Sequence, residues 1–244
     1  IALLKALNLS LPQYAHVSLF TGLDGAPLSK RNGSLSINDL REMGYLPKAV
    51  ANYLSRVGHT IPDNDLKTLE DLALVFETQN ISSSPSKFDM DQLLFWQKKT
   101  VESLTVNECK EWLEKHLRDL PSDLNHEDFI ELIKDNINFP EEAKNYLNKL
   151  FYQPLTAQTE VENIIKTAGK EFYLVAYKVI DSGFDDWIEA TKLIGGESGK
   201  KGKDLFMPLR VAITGQTKGP ELDKVVDFIG VNRVLERVKE ASEL

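Results

Sequence analysis

A single cysteine in 244 residues removes two classes of protein at once. Cys109 has no partner for an internal disulfide and too few companions for a cysteine-rich zinc site, so no metal is expected and a reducing compartment, the cytoplasm, is the expected location. Long apolar runs are missing too. Ile1-Ala2-Leu3-Leu4 is interrupted by Lys5 and Asn8 and ended by Pro12, far short of a membrane span or a signal peptide's apolar region, and no membrane partner is expected. There is no internal repeat and no alternating series of the kind that half-buried strands show. Positive charge is in deficit: 29 basic against 37 acidic residues give a net charge of −8, which alone argues against a polyanionic partner. A phosphate loop is lacking as well. Gly195-Gly196-Glu197-Ser198-Gly199-Lys200-Lys201 breaks the Gly-x4-Gly-Lys-Ser/Thr spacing and follows no buried strand, so 195–202 reads as a flexible basic connector.

What is present is an ordinary globular composition, 42% apolar and 27% charged, with room for one large core or two modest ones. Its charge is unevenly spread. Residues 192–218 carry Lys192, Lys200, Lys201, Lys203, Arg210 and Lys218 against only Glu197 and Asp204, whereas 119–162 is strongly acidic and reads as a solvated helix face. RNA could still touch the basic segment.

The periodicity is helical nearly throughout. Ser36 with Asp39, Thr68 with Asp71, Thr105 with Glu108, Asn125 with Asp128 and Thr159 with Glu162 each place a side-chain oxygen three residues before a carboxylate, the spacing of a helix start. Gly44 closes one expected helix and Pro47 opens another, in which Val50, Tyr53, Leu54 and Val57 form a core-facing stripe that stops at Gly58. Between Val106 and Leu120, the residues Val106, Cys109, Trp112, Leu113, Leu117 and Leu120 share one face. Cys109 and His116 lie on or beside it, where core packing accounts for them better than a thiol–imidazole pair without an orienting third group.

Two segments carry a resemblance. The run DGAPLSKRNGSLSINDLREMGYLPKAVANYLSRVG at 24–58 resembles the mobile-loop segment of bacterial glutamyl-tRNA synthetase, a class I aminoacyl-tRNA synthetase, with Leu28, Ser29, Lys30 and Arg31 standing for its KMSKS-type signature. The resemblance implies an ATP-binding loop whose Lys30 neutralises charge developing on the phosphates as glutamate is activated, a role suited to a loop that closes over a nucleotide. Pro27 and Asn32 depart from the pattern, where many members have Lys and His, which implies one fewer cation at the nucleotide. The second segment, LFMPLRVAITG at 205–215 followed by Gly219-Pro220-Glu221-Leu222, resembles the family's distal anticodon-binding subdomain. It implies that Arg210, Gly219, Pro220 and Leu222, with Lys192 nearby, contact splayed anticodon bases. Without the resemblance, Arg210 would read as a surface ion pair and Pro220 as a helix start. A third stretch, FDMDQLLFWQ at 88–97, is similar to the element joining the stem-contact region to the anticodon-binding part, with Gln92, Phe95 and Gln97 in place of Lys, Trp and Asn; its apolar positions read as a helix junction.

The implied architecture is mainly α: an elongated, multi-subdomain helical chain. Residues 1–35 end a catalytic domain and hold the ATP loop, 36–104 form a helical stem-contact region, and 105–155 and 156–244 are two anticodon-binding subdomains forming an all-helical cage. The chain opens in mid-pattern without Met, and His16, His59, His116 and His126 form no HIGH-type motif, so it reads as a C-terminal piece that should not charge tRNA alone. The implied parent is a monomeric glutamate-tRNA ligase using ATP and Mg, neither of which the piece is expected to retain. Its implied partners are glutamate and tRNA(Glu), and no DNA. Members that discriminate tRNA(Glu) from tRNA(Gln) often read the first anticodon base with an arginine, and the corresponding stretch 132–140 has none, although Lys134 could substitute. A non-discriminating or paralogous enzyme that glutamylates tRNA(Gln) therefore stays open, as does a helical adaptor that binds protein through the acidic face at 127–142.

Overall fold

Side-chain oxygens near a carboxylate decide where many of these helices begin. The computed structural model describes residues 1–14, 16–22, 24–28, 35–118, 120–122 and 124–244, which form two compact units, Ile1–Thr100 and Val101–Leu244. To the first belong α1 (Ala2–Ala6), α2 (Ile37–Glu42), α3 (Pro47–Leu54), α4 (Leu69–Val75) and most of α5 (Met90–Ser103). Among the described residues the only strands are a parallel pair of two residues each, β1 (Phe20–Thr21) and β2 (Ser86–Lys87), with Phe20 opposite Ser86. The architecture is thus mainly α, as expected.

Ser36 and Thr68 each form a full capping box, accepting the amide of Asp39 or Asp71 while that carboxylate accepts from their own amide. Gly44 follows α2 at φ +92°, and Pro47 is the first residue of α3, where its missing N–H costs nothing. The expected stripe on α3 is displaced. Ala49, Asn52 and Tyr53 are the buried residues, while Leu54 is exposed and Val50 and Val57 are half-buried, because the helix turns its inner face on a polar hub. There the fully buried Asn52 donates to the Lys48 and Lys67 carbonyls and accepts from the Lys67 amide and from Arg56, whose guanidinium lies 4.0 Å from the Trp96 ring centre. Gln97, also fully buried, accepts from the Leu46 amide at 2.9 Å and donates to the Gly44 carbonyl at 3.3 Å, tying α5 to the α2–α3 turn. Phe88 packs edge-on against Tyr53 and Leu93 and Trp96 are buried, so the 88–97 element is a helix junction.

The second unit contains α6 (Val106–Leu113), α7 (His126–Ile133), α8 (Pro140–Leu147), α9 (Thr159–Ala168), α10 (Lys170–Asp181), α11 (Trp187–Ser198), α12 (Lys203–Thr214) and α13 (Leu222–Ser242). Thr105 makes the expected box with Glu108, but Asn125 accepts from Glu127 rather than Asp128, and Thr159 caps nothing: it is already the first helical residue, after Gln158. The helix expected over 106–120 ends at Leu113 and tightens into a 3₁₀ turn, Glu114–His116, yet Cys109, Leu113, Leu117 and Leu120 are all buried. Burial raises the Cys109 thiol to about 11, so it is an inert core group. The first half of the connector expected at 195–202 is helix. Gly195 and Gly196 lie inside α11, and only from Gly199, at φ +70°, does the chain leave it. A Cβ on Gly195 would sit 3.0 Å from a Leu205 methyl, so this glycine admits α12 rather than loosening the chain. Helix α13 packs against α7, α10, α11 and α12 and breaks direction at Gly230, φ +76°.

Candidate nucleic-acid interface

In the first unit, the entry to the LSKR loop is a tight turn. The Gly22 amide donates to the Ala26 carbonyl at 2.8 Å, the Gly25 amide, at φ +80°, to the Gly22 carbonyl, and the Ala26 amide to the Asp24 carboxylate. Thr21 then pairs antiparallel with Pro27, and the Leu28 amide reaches the Phe20 carbonyl at 3.2 Å. Neither hydrogen bond of this pairing uses an amide at position 27, so proline is tolerated there and fixes the turn. Leu28 is half-buried at its end. Ser29, Lys30, Arg31 and Asn32 lie outside the described residues.

The distal turn in the second unit is described completely. Gly215 ends α12 in the left-handed region at φ +65°, and the chain returns through 216–221 to α13. Arg210, half-buried on α12, donates from Nη1 to the Pro220 carbonyl at 2.9 Å. It makes no surface ion pair among the described residues; its guanidinium is a strut across the turn. Pro220 and Leu222 are buried beneath it, Pro220 just ahead of the α13 start. Gly219 adopts φ +146°, and a Cβ there would lie 3.1 Å from the Tyr146 hydroxyl and 3.2 Å from its ring. Only glycine lets the turn lie on the α8 aromatic. Burial first, then the Glu142 carboxylate, push the Tyr146 phenol above its ordinary value, while Arg210 pulls it down, which places the guanidinium's charge beside the ring. Thr214 finishes the turn, donating to the Gln216 carbonyl or the Arg210 carbonyl and accepting the Gln216 amide.

Four of the five expected anticodon-contact residues, Arg210, Gly219, Pro220 and Leu222, therefore meet at one turn. Lys192 does not join them: it is exposed on α11 and takes no part in the turn's hydrogen bonds. Beside the turn a groove of about 620 Å³ runs between α9 and α12, lined by Asn163, Thr167 and Met207, by Lys200, Lys203 and Lys218, and by the carboxylates of Glu160 and Asp204. Among the described residues, none of the ammonium groups of Lys192, Lys200, Lys201, Lys203 and Lys218 enters an ion pair, whereas Lys178 and Lys224 are matched by Glu197 and Glu221. Three lysines in no ion pair, against two carboxylates in the same groove, leave it net positive next to a rigid turn, which suits a polyanion. Tyr146, Thr214 and Gln216 were not signalled by the sequence, because their part in the turn arises from packing and local backbone geometry rather than from a motif.

Lys134, the cation that could stand in for an arginine, is engaged: its Nζ donates to the Leu104 carbonyl at 3.2 Å. Among the described residues no group of three or more His, Cys, Asp or Glu could hold a metal ion, and no helix is long and apolar enough to cross a membrane.

Comparison with known proteins agrees with both segments. Residues 1–95 match the family described as tRNA synthetases class I (E and Q), catalytic domain, and residues 104–242 match that described as anticodon binding domain. A "Glutamate--tRNA ligase 1" of Halorhodospira halophila is 41% identical over 99% of this chain and 50% of its own length, and a "Glutamate--tRNA ligase 2" of Nitrosococcus oceani 38% identical over 98% and 51%. The chain thus spans about half the length of the curated relatives it matches. The crystal structure of a glutamate-tRNA synthetase from Elizabethkingia anophelis shares the fold, with a TM-score of 0.82 at 21% identity over 100% of this chain and 53% of that one.

Proposed function

We propose, for a chain that belongs to the anticodon binding domain family and carries a match to the class I (E and Q) tRNA synthetase catalytic domain, that its second unit reads the anticodon of tRNA(Glu) within a cytoplasmic, monomeric glutamate-tRNA ligase. The observation that carries this reading is the Arg210 strut on the Pro220 carbonyl. Sequence-specific recognition of RNA works on unstacked bases, whose polar edges need donors and acceptors held in fixed places. A turn braced by Arg210, seated on Tyr146 and followed by an α13 start without a side-chain cap offers backbone amides in a fixed array, and the unpaired lysines along the groove hold the phosphates. We take 105–155 and 156–244 as the proximal and distal anticodon-binding subdomains, 36–104 as the stem-contact region, and Lys192 as a contact at the edge of the site.

In the complete enzyme Lys30 is the essential cation of the ATP loop, flanked by Leu28, Ser29 and Arg31, and the turn at 22–28 anchors that loop. Mg arrives with the nucleotide phosphates. The engagement of Lys134 with Leu104 favours a second feature: with no arginine in 132–140 and the one lysine there occupied, the first anticodon base is not discriminated, and tRNA(Gln) is glutamylated too.

Binding of tRNA(Glu) across a salt series tests the reading. Affinity that falls steeply with salt and collapses in Arg210→Ala supports it. Binding indifferent to both overturns it in favour of a protein-binding adaptor.

A further inference from the structure

Arg237 is 2% exposed, a guanidinium in the core of the second unit. We propose that it is a positioning residue for the anticodon-reading turn, holding the first residue of that turn, Gly215, against the segment that follows α8; this rests on the reading of the turn as facing RNA.

The segment after α8 is irregular. Asn148–Tyr152 forms a π-helical turn, the kind of helix end that leaves carbonyls without intrahelical partners. Two arginines of α13 take up carbonyls of this segment, and a carboxylate of the same helix braces one of them. Arg233 donates to the Leu150 carbonyl at 3.1 Å and the Phe151 carbonyl at 2.8 Å. Arg237 donates from Nη1 to the Gln153 carbonyl at 3.0 Å and from Nη2 to the Lys149 carbonyl at 3.2 Å, and Glu240 accepts both from Arg237 and from the Leu155 amide.

The same guanidinium borders the turn. A Cβ on Gly215 would lie 3.2 Å from Arg237 Nη2, a tight contact, and 3.7 Å from the Lys149 carbonyl, an ordinary one, so the left-handed residue that starts the turn packs against the Arg237–Lys149 pair. Lys149 adds a second tie, its Nζ donating to Gln216 Oε1 at 3.4 Å. Burying a guanidinium costs more than burying an apolar side chain of equal size. What an apolar side chain could not do is tie the Gln153 and Lys149 carbonyls together and so hold in place the end of the segment against which Gly215 packs. A displacement of Arg237 therefore displaces the end of the turn opposite to the Arg210 strut.

The test uses the full chain, wild type and Arg237→Lys, which keeps the charge but cannot bridge Gln153 and Lys149 together, and Lys149→Met, which removes only the tie to Gln216. Two quantities are read well below the melting temperature: the ratio of affinities for tRNA(Glu) anticodon hairpins with the native anticodon and with a single substitution at its second or third base, and amide exchange in 215–221 relative to α10. The expected result is a ratio reduced about tenfold, the worth of one recognition hydrogen bond, and faster exchange confined to 215–221. A purely structural role would lower both affinities together and leave the ratio unchanged. If the wild type discriminates and both variants keep its ratio and its exchange pattern, the inference is overturned. If Arg237→Lys speeds exchange in α10 as well, it has loosened the whole unit, and Glu240→Gln, which removes the charge facing Arg237 Nη1 but keeps an acceptor for the Leu155 amide, decides in the same way. If the wild type itself does not distinguish the hairpins, the functional reading fails, and exchange at 215–221 alone decides whether Arg237 holds the turn.

Discussion

The Arg210 guanidinium donates to the Pro220 carbonyl at 2.9 Å, closing the connection between α12 and α13 from ten residues away. Because Arg210 is half-buried and the bond is to a charged donor, Arg210→Ala costs about 2 kcal/mol of stability, small beside its expected effect on RNA. The turn loses its brace and affinity for tRNA(Glu) drops at least tenfold in filter binding, and Arg210→Lys restores only part because the shorter, more strongly hydrated ammonium holds the Pro220 carbonyl less well. Unchanged affinity in both variants would separate the strut from recognition.

Gly219 has a different vulnerability. At φ +146° with Tyr146 3.1 Å from any added Cβ, Gly219→Ala meets both backbone strain and a clash, and is expected to destabilise by about 2 kcal/mol. Trimming the ring in Gly219→Ala/Tyr146→Ala removes the clash but not the strain. Urea unfolding of the two single variants and the double variant should therefore show a non-additive, partial rescue.

In the first unit, Gln97 satisfies the Leu46 amide and the Gly44 carbonyl from a fully buried position. Gln97→Leu leaves both backbone groups without that partner, at about 2 kcal/mol. The urea midpoint should fall with no change in the slope of the transition. An unshifted midpoint would mean that water replaces the amide.

Cys109 gives a pH signature. Its folded value of about 11 stands above the ordinary 9.0 because burial disfavours the thiolate, so its contribution is fully present below pH 9.0 and is lost as pH rises toward 11, by about 3 kcal/mol at most. Thermal melts should weaken across that window in the wild type and less in Cys109→Ala. At neutral pH the folded protein should resist alkylation that modifies the unfolded chain at once.

The helix starts at Ser36, Thr68 and Thr105 were legible because a capping box is made within four residues. Thr159 misled because the same spacing recurs one residue inside α9, where Gln158 already ends the preceding turn. Gly195 looked like flexibility and is a close approach to Leu205. This cannot be seen without the partner helix. At the candidate site, the motif residues Arg210, Gly219, Pro220 and Leu222 could be picked out along the chain by resemblance. Tyr146 under Gly219, Lys134 on Leu104 and Arg237 on Lys149 could not, since each joins residues that only the packing of the unit brings together. Lys192 belongs to the basic segment in sequence and to another helix in space.

The most direct measurement is glutamylation of tRNA(Glu) and tRNA(Gln) transcripts by the full-length protein, wild type and Arg210→Ala, at one salt concentration. Charging of both tRNAs by the wild type, with kcat/KM falling at least tenfold for each in the variant, is the predicted result. Charging of neither, or charging that Arg210→Ala leaves unchanged, would contradict the assignment of the α12–α13 turn as the anticodon reader.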